Sequence, residues 1–363
     1  MSFLLSLVLF VATITSVVAQ TFTDCQPLNE TCPPNPALGT SHGWYFNQTL
    51  DDKIWNITNG DIDFTDNGAE FTISKKLESP TLQSNFYIFF GIVETHLKMS
   101  PGRGIISSVV LQSDDLDEID WEWAGYNTSS VQTNYYGKGV TDYENGGEHY
   151  VPNADSEVHN YTTHWTQEKL EWWIDGNLVR TLTYDEADGG ERYPQTPSNV
   201  RIGIWPAGDP GNAKGTIDWA GGVVDYDAGP YTMVIEKVHV HDFHTGKEYK
   251  YTDRSGSFES IKVVEGNSTT VHELNKPPPK SLSEKWDDLP TGAKVGVGCG
   301  AAAAGLIAIA AFVLFFLKQR RRGRLERALG DTQYGMGQTE MKNYNSDWRQ
   351  SEWRRSGYKP VGS

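Results

Sequence analysis

The chain has 363 residues, enough for one large domain with additional segments, and its formal net charge is −16. Residues 318–363 carry a net charge of +6, so the rest of the chain carries −22. Such an acidic main part argues against nucleic acid as a partner, because phosphate binding depends on clustered Lys and Arg.

The chain begins with an uncharged apolar stretch. Residues 1–19 end in Val17-Val18-Ala19, small residues of the kind that precede a signal-peptide cleavage site. We therefore predict a signal peptide over residues 1–19, cleaved before Gln20. The alternative is an uncleaved membrane anchor, which the short apolar core disfavours.

The next 246 residues, 20–265, contain short β-rich runs that alternate with turn residues. One such turn, Asp175-Gly176, is typical of a two-residue hairpin connection. No long stretch with the apolar period of a helix occurs before residue 295. The pattern predicts a single all-β sandwich domain. Residues 266–293 are polar and proline-rich, which predicts a stalk.

A second apolar run of 23 uncharged residues, 295–317, is long enough to cross a bilayer as a helix. The basic sequence KQRRRGR follows it, so we predict one transmembrane helix over 294–317 with the N-terminal side facing outward, a single-pass type I arrangement. A lipid-anchor signal is the alternative, but such a signal ends in its apolar stretch. Gly296 and Gly300 form a GxxxG pair, which favours dimerisation through the helix. Residues 318–363 are polar and are expected to be a disordered cytoplasmic tail.

Cysteines and glycosylation motifs agree with an extracellular domain. Cys25 and Cys32 are close enough in sequence to close a short disulfide loop, whereas Cys299 falls in the predicted membrane helix. Six N-x-[ST] sequons precede that helix and none follows it, with their asparagines at Asn29, Asn47, Asn56, Asn127, Asn160 and Asn267. No metal-binding spacing is present, and no metal or cofactor is expected.

The stretch DEIDWEWAG, beginning at Asp117, combines acidic and aromatic residues in alternation. Side chains of a strand alternate between its faces, so Glu118, Asp120 and Glu122 share one face while the apolar residues between them face a core. A retaining glycosidase needs two carboxyl groups about 5–5.5 Å apart, one as nucleophile and one as acid. Crowding raises the pKa of the group that must hold a proton. A solvated acidic strand and a calcium-binding edge are the alternatives.

This stretch resembles the E-I-D-x-E signature of glycoside hydrolase family 16, and its context resembles the fungal Crh-type cell-wall transglycosylases of that family. The resemblance covers roughly residues 25–245 and is carried by CQPLNETCPPNPALGTS, DEIDWEW, QTNYYGKG, HNYTTHWTQEKLEWWIDGNLVRT, RIGIWPAGDP and GTIDWAGG. It implies a β-jelly-roll sandwich of the concanavalin A-like type with a sugar-binding concave sheet.

The resemblance also implies roles for individual residues. Glu118 is expected to be the nucleophile, Glu122 the general acid and base that also contacts the substrate, and Asp120 the helper between them. Further residues are expected to line the sugar cleft: Arg201, Trp205, Thr216, Trp219, Tyr135, Tyr136 and Lys138. Arg201 and Trp205 are four residues apart, so a strand places both on one face, where an indole can cover a sugar ring and a guanidinium can donate to its polar groups.

The implied function is a retaining transglycosylase that cleaves a chitin donor and transfers the fragment to a β-glucan acceptor in the fungal cell wall. If water takes the place of the acceptor, the same site is a chitin or glucan hydrolase. A carbohydrate-binding module on the same sandwich is a further alternative, although binding alone does not require two Glu flanking an Asp. A signalling receptor is a minor alternative, suggested by the basic tail.

Overall fold

The computed structural model of the chain describes residues 22–277 and 282–355, so the predicted signal peptide lies outside the described residues. The described strands are, in chain order, β1 Asn35–Pro36, β2 Ser41–Tyr45, β3 Trp55–Asn59, β4 Ile62–Thr65, β5 Gly68–Ile73, β6 Thr81–Ser84, β7 Gly91–Lys98, β8 Ile106–Ser113, β9 Glu118–Ala124, β10 Ser130–Tyr136, β11 Gly147–Tyr150, β12 His159–Trp165, β13 Lys169–Ile174, β14 Asn177–Thr183, β15 Ser198–Trp205, β16 Tyr231–Asp242, β17 Glu248–Tyr251 and β18 Ile261–Val264. The described helices are α1 Lys214–Trp219, α2 Thr269–Leu274, α3 Leu282–Asp287 and α4 Thr291–Arg355, with 3₁₀ turns at Tyr143–Asn145, Asp188–Gly190, Tyr226–Ala228 and Phe258–Ser260.

Most strands belong to two antiparallel sheets. One has the order β11-β10-β9-β8-β15-β6-β3, and the other has the order β14-β13-β12-β7-β16-β5-β4 with β2 also paired to β16. Strands β1, β17 and β18 form a small third sheet. The predicted all-β sandwich of the jelly-roll type is confirmed.

The two large sheets bury their inner faces against each other. Strands β7 and β12 alternate strictly between buried and half-buried positions, as period-two strands with one core face do. Aromatic side chains fill much of the core, and its largest fully buried members include Trp121, Trp123, Trp165 and Trp172. The Trp121 indole N–H donates to Thr163 Oγ1 at 3.0 Å, which joins β9 of one sheet to β12 of the other.

The compact unit that contains the sandwich extends to Lys276, beyond the boundary at residue 265 that we expected. The reason is α2, whose N-cap Ser268 accepts a hydrogen bond from the Val271 backbone N–H and donates to the Leu38 carbonyl oxygen of the sandwich. The first part of the predicted stalk, residues 266–276, is therefore part of the folded domain.

The second unit, from Pro277 onward, contains α3 and the 65-residue helix α4. Within α4, Thr291–Met336 is long and apolar enough to cross a membrane. The helix is described as far as Arg355, and the disorder expected for the tail stays a prediction. The chain has no proline between Pro290 and Pro360, and helix elongation requires no new nucleus once the apolar span is helical.

Near the N-terminus, Cys25 and Cys32 form the expected disulfide, with their Cα atoms 5.8 Å apart. Cys299 is a free and exposed thiol on α4. The disulfide holds the segment that precedes β1 in a short loop, in which the backbone N–H groups of Asn29 and Glu30 donate to the Gln26 carbonyl oxygen.

Candidate active site

Strand β9 carries its three acidic residues on the outer face of the seven-stranded sheet. Directly opposed residues of antiparallel strands share a face, and Asp120 lies opposite Val110 of β8 and Asn134 of β10. Glu118 and Glu122 lie two positions to either side of Asp120 and therefore share that face. Because β9 is paired on both sides, its ladder hydrogen bonds hold the three carboxyl groups in a fixed register.

The apolar residues of β9 anchor the strand in the core. Ile119, Trp121 and Trp123 are buried. The two indole rings lie nearly parallel with centroids 6.4 Å apart, and both contact the Tyr161 ring edge-on at 5.4 and 4.6 Å. Such edge-on aromatic pairs are favourable and geometrically specific. The prediction that these three apolar residues face the core is confirmed.

The outer face contains a cavity of about 840 Å³, a size typical of ligand sites. Residues from β8, β9, β10, the loop after β10, the end of β15 and α1 line it. The lining includes seven of the residues expected there from sequence: Glu118, Asp120, Glu122, Tyr136, Trp205, Thr216 and Trp219. The strand alternation and the short helix α1 thus bring these side chains to one place.

Two tryptophans form an aromatic wall of this cavity. The rings of Trp205 and Trp219 are 6.1 Å apart and tilted by 35°. The Trp219 indole N–H donates to Gln132 Oε1 at 2.7 Å, which ties α1 to β10. Apolar ring faces with polar edges fit a pyranose, whose faces are apolar and whose rim carries hydroxyl groups. At the rim, the side chain of Tyr143 is 83% exposed.

The three carboxyl groups have raised pKa values, and burial is the largest cause for each. Burial raises the pKa of Glu118 to about 7, while a hydrogen bond from Asp120 and the charge of Arg201 act in the opposite direction. Burial and then the charge of Glu118 raise the pKa of Glu122 to about 8. The pKa of Asp120 is raised well above its ordinary value by burial and by both glutamates. The hydrogen bond between Asp120 and Glu118 lowers the pKa of Glu118 and raises that of Asp120, which favours a proton on Asp120.

Two residues expected in the cleft lie elsewhere, which corrects the prediction. Tyr135 points into the core, because it lies opposite Ile119 on β9 and alternates with the outward-facing Tyr136. Its ring contacts the guanidinium of Arg180 at 5.6 Å. Lys138 follows β10 in the left-handed region with φ of 54°, and its Nζ forms an ion pair with Glu191 at 3.0 Å.

Arg201 is on the expected face but is covered. It lies opposite Val110, which in turn lies opposite Asp120, so its side chain leaves the sheet on the cleft side. The residue is nevertheless only 3% exposed. The ring of Phe22 lies 4.5 Å from its guanidinium carbon, and Arg201 does not line the cavity described above.

Comparison with known proteins agrees with this fold. Residues 49–221 match the model of glycosyl hydrolases family 16. The chain is 63% identical to Crh-like protein 3 of Aspergillus fumigatus, over 99% of this chain and 100% of that protein. It is 49% identical to a Crh-like protein of Arthroderma benhamiae, over 100% of this chain and 98% of that protein. The chain is a fungal Crh-type transglycosylase of glycosyl hydrolase family 16. Two solved structures, titled apo Crh5 transglycosylase and Crh5 transglycosylase in complex with NAG, are 48% identical and cover 66% of this chain and all of theirs, with TM-scores of 0.64 and 0.65.

The cleft of this Crh-type transglycosylase contains polar residues that sequence reasoning missed. Gln132 and Asn134 alternate with core residues along β10 and lie opposite Glu122 and Asp120. The Asn134 side-chain amide donates to the Tyr136 hydroxyl oxygen at 2.8 Å, beside the three acids. The alternation of the QTNYY stretch was the signal that could have identified them, because it separates outward-facing from inward-facing positions.

A second pair of buried acids lies at the turn that leads into β9 of the Crh-type domain. The Thr196 hydroxyl is 2.6 Å from Asp115 Oδ1 and 2.7 Å from Asp117 Oδ2. A hydroxyl donates only one proton, so one of the two contacts needs a proton from a carboxyl group. Burial raises the pKa of both acids, that of Asp117 to about 8. The two contacts and the raised pKa values together favour one protonated carboxyl group in this pair, immediately before Glu118.

This pair makes the stability of the domain dependent on pH. Because the folded state holds a proton that an unfolded Asp releases near pH 4, we expect the free energy of unfolding to fall between about pH 4 and pH 8, by at most about 1.4 kcal/mol per pH unit for this one proton. Asp115→Asn should flatten this slope in urea titrations followed by near-UV circular dichroism. The exposed Asp63→Asn is the control, and parallel curves for Asp115→Asn and wild type would contradict the shared proton.

Proposed function

We propose that the enzyme is a retaining transglycosylase with Glu118 as nucleophile and Glu122 as acid and base. The observation that carries this assignment is the arrangement on β9, where both glutamates face one cavity and Asp120 is hydrogen-bonded to Glu118 between them. Asp120 stabilises the carboxylate form of Glu118 by donating a hydrogen bond, whereas Glu122 has the higher pKa and holds its proton.

The reaction has two displacements. A Glu118 carboxylate oxygen attacks the anomeric carbon of the donor, and the bond to the leaving chain breaks as Glu122 protonates the leaving oxygen. A covalent glycosyl-enzyme results. A hydroxyl group of the acceptor then attacks the same carbon, gives its proton to Glu122 and releases the Glu118 carboxylate. Water in place of the acceptor gives hydrolysis.

We further propose that chitin is the donor and β-glucan the acceptor. Support for the donor comes from the Crh5 transglycosylase that was solved with NAG, at 48% identity. An N-acetylated pyranose fits the aromatic wall of Trp205 and Trp219 and the hydrogen-bond donors of the cleft. The acceptor follows from the resemblance of the chain to Crh-type enzymes, and the exposed ring of Tyr143 offers a stacking surface at the rim.

The proposed location is the outer face of the membrane, with the enzyme anchored by α4. The span Thr291–Met336 supports the anchor, and the basic residues after the apolar run support the orientation. The sequon asparagines are all surface-accessible: Asn29, Asn47, Asn56 and Asn267 are exposed, and Asn127 and Asn160 are half-buried. Gly296 and Gly300 support dimerisation through α4.

The proposal is tested by incubating the purified full-length enzyme with chitin oligosaccharides and a fluorescently labelled β-glucan. We expect a labelled product that chitinase shortens, since the label then resides on a chitin–glucan hybrid. Release of short chitin oligomers without labelled hybrid would identify a hydrolase. Binding of chitin without either product would identify a carbohydrate-binding module and contradict the catalytic assignment.

A further inference from the structure

The N-terminal arm, which we define as Phe22–Asp24, lies on the same sheet face as the catalytic acids. The Phe22 carbonyl oxygen accepts a hydrogen bond from the Arg201 guanidinium at 3.0 Å, and the Phe22 ring covers that guanidinium at 4.5 Å. Arg201 lies two strands from β9, which is roughly 10 Å at ~4.8 Å per strand. The arm therefore covers the sheet face close to the catalytic centre.

A second contact extends the arm to the cavity itself. The Phe22 backbone N–H donates to Gln112 Oε1 at 3.1 Å. Gln112 lies directly opposite Glu118, lines the cavity and is buried. Its other polar atom, Nε2, is buried and has no hydrogen-bond partner among the residues that the structure describes. An unsatisfied buried donor is costly, so a ligand that accepts from it has a favourable position beside the nucleophile.

The arm is attached so that it can move without disturbing the sandwich. It belongs to no strand, and its covalent connection to the fold is Cys25, which the disulfide to Cys32 holds. Phe22 lies three positions before Cys25, which allows a reach of roughly 10 Å. The Phe22 side chain is 41% exposed, so part of its ring already faces solvent in the covering position. The negative charge of Asp24 is attracted to Arg201 and favours the covering position.

The groups that the arm presents are those of an N-acetylated sugar. Phe22 offers an amide carbonyl to Arg201, an amide N–H to Gln112 and an apolar ring face to the guanidinium. An N-acetylhexosamine carries the same amide acceptor and donor beside an apolar ring face. The arm and such a sugar unit would therefore compete for the same side chains.

We propose that the N-terminal arm is a displaceable plug, and that Phe22 determines donor affinity by occupying a sugar-binding position formed by Arg201 and Gln112. The inference rests on the proposed function, because it assumes that the donor is N-acetylated. In the covered form the donor occupies the cavity beside Glu118 but does not reach Arg201. Donors with a sugar unit at that position bind by displacing Phe22, and the covered fraction of the enzyme lowers their apparent affinity.

The test compares Phe22→Ala with Phe243→Ala in the full-length enzyme. Phe243 is the matched control, because it is also 41% exposed and lies beyond the end of β16, a strand of the other sheet. With chitin oligosaccharides of increasing length as donors, we expect Phe22→Ala to lower the donor KM about 3- to 10-fold for the longer donors, with kcat unchanged. Phe243→Ala should leave both constants unchanged. An unchanged or raised donor KM in Phe22→Ala would overturn the plug.

A second measurement separates this proposal from the proposed function. Modification of Arg201 by phenylglyoxal, followed by peptide mass spectrometry, needs no substrate. We expect Phe22→Ala to accelerate modification of Arg201 several-fold and Phe243→Ala to leave it unchanged; equal rates in all three proteins would overturn the plug. Lack of wild-type activity on every chitin oligosaccharide would instead contradict the proposed donor, while faster modification would still show that Phe22 covers Arg201.

Discussion

Glu118→Gln is expected to reduce glycosyl transfer by about 10⁴-fold, and Glu122→Gln by about 10²- to 10⁴-fold. The first change removes the oxygen that forms the covalent bond, and the second removes the proton that the leaving chain needs. Both side chains keep their size, and both positions are fixed by β8 and β10 on either side of β9. Rates are measured with chitin oligosaccharide donors under saturating acceptor.

The leaving group distinguishes the two roles. A dinitrophenyl glycoside donor has a leaving group that departs without a proton, so Glu122→Gln should recover much of its first-step rate with it, whereas Glu118→Gln should not. Glu148→Gln is the matched control: Glu148 lies opposite Gln132 on the same sheet face, but it does not line the cavity. Recovery of Glu118→Gln in place of Glu122→Gln would reverse the assignment, and full activity of both variants would refute it.

Trp121→Ala is expected to lower the free energy of unfolding of the sandwich by about 3–5 kcal/mol. The indole is 2% exposed, donates to Thr163 on the opposite sheet and contacts Tyr161, so its removal leaves a cavity and an unpaired hydroxyl between the sheets. Urea unfolding followed by near-UV circular dichroism measures the change.

Trp205→Ala provides the comparison for Trp121→Ala. Its indole lies half-buried on the wall of the cavity, so we expect a loss of stability below about 1 kcal/mol together with weaker donor binding. If the two substitutions destabilised the protein equally, the division of tryptophans between core and cleft would be wrong.

The arrangement of β9 was predictable because a strand alternates with a period of two and because the acids and aromatic residues follow that period without a break. The same rule separates Tyr136 from Tyr135 in β10, so the expectation that both tyrosines line the cleft conflicts with it. Trp205, Thr216 and Trp219 came from the resemblance to Crh-type enzymes, since α1 is a six-residue helix without an apolar pattern that would orient it.

Other features depend on contacts that the sequence does not encode locally. The bond that covers Arg201 joins residues 179 positions apart, so nothing near Arg201 in the sequence indicates that Phe22 lies on it. The raised pKa values of the β9 acids were expected from repulsion, but burial is the larger cause, and burial depends on the assembled cleft. The domain boundary was missed because α2 is fixed by the distant Leu38 carbonyl.

Strand β9 contributes one face to the cleft and the other to the core, which limits how the substrate specificity of this enzyme can change. Every position from Glu118 to Trp123 faces either the cleft or the aromatic core, and a one-residue insertion or deletion would exchange the two faces. The strand therefore has no position at which variation is free of cost. New substrate preferences are more accessible through Gln132 and Asn134 on β10 and Thr216 on α1, whose side chains reach the same cavity from elements that do not supply the proposed catalytic carboxyl groups.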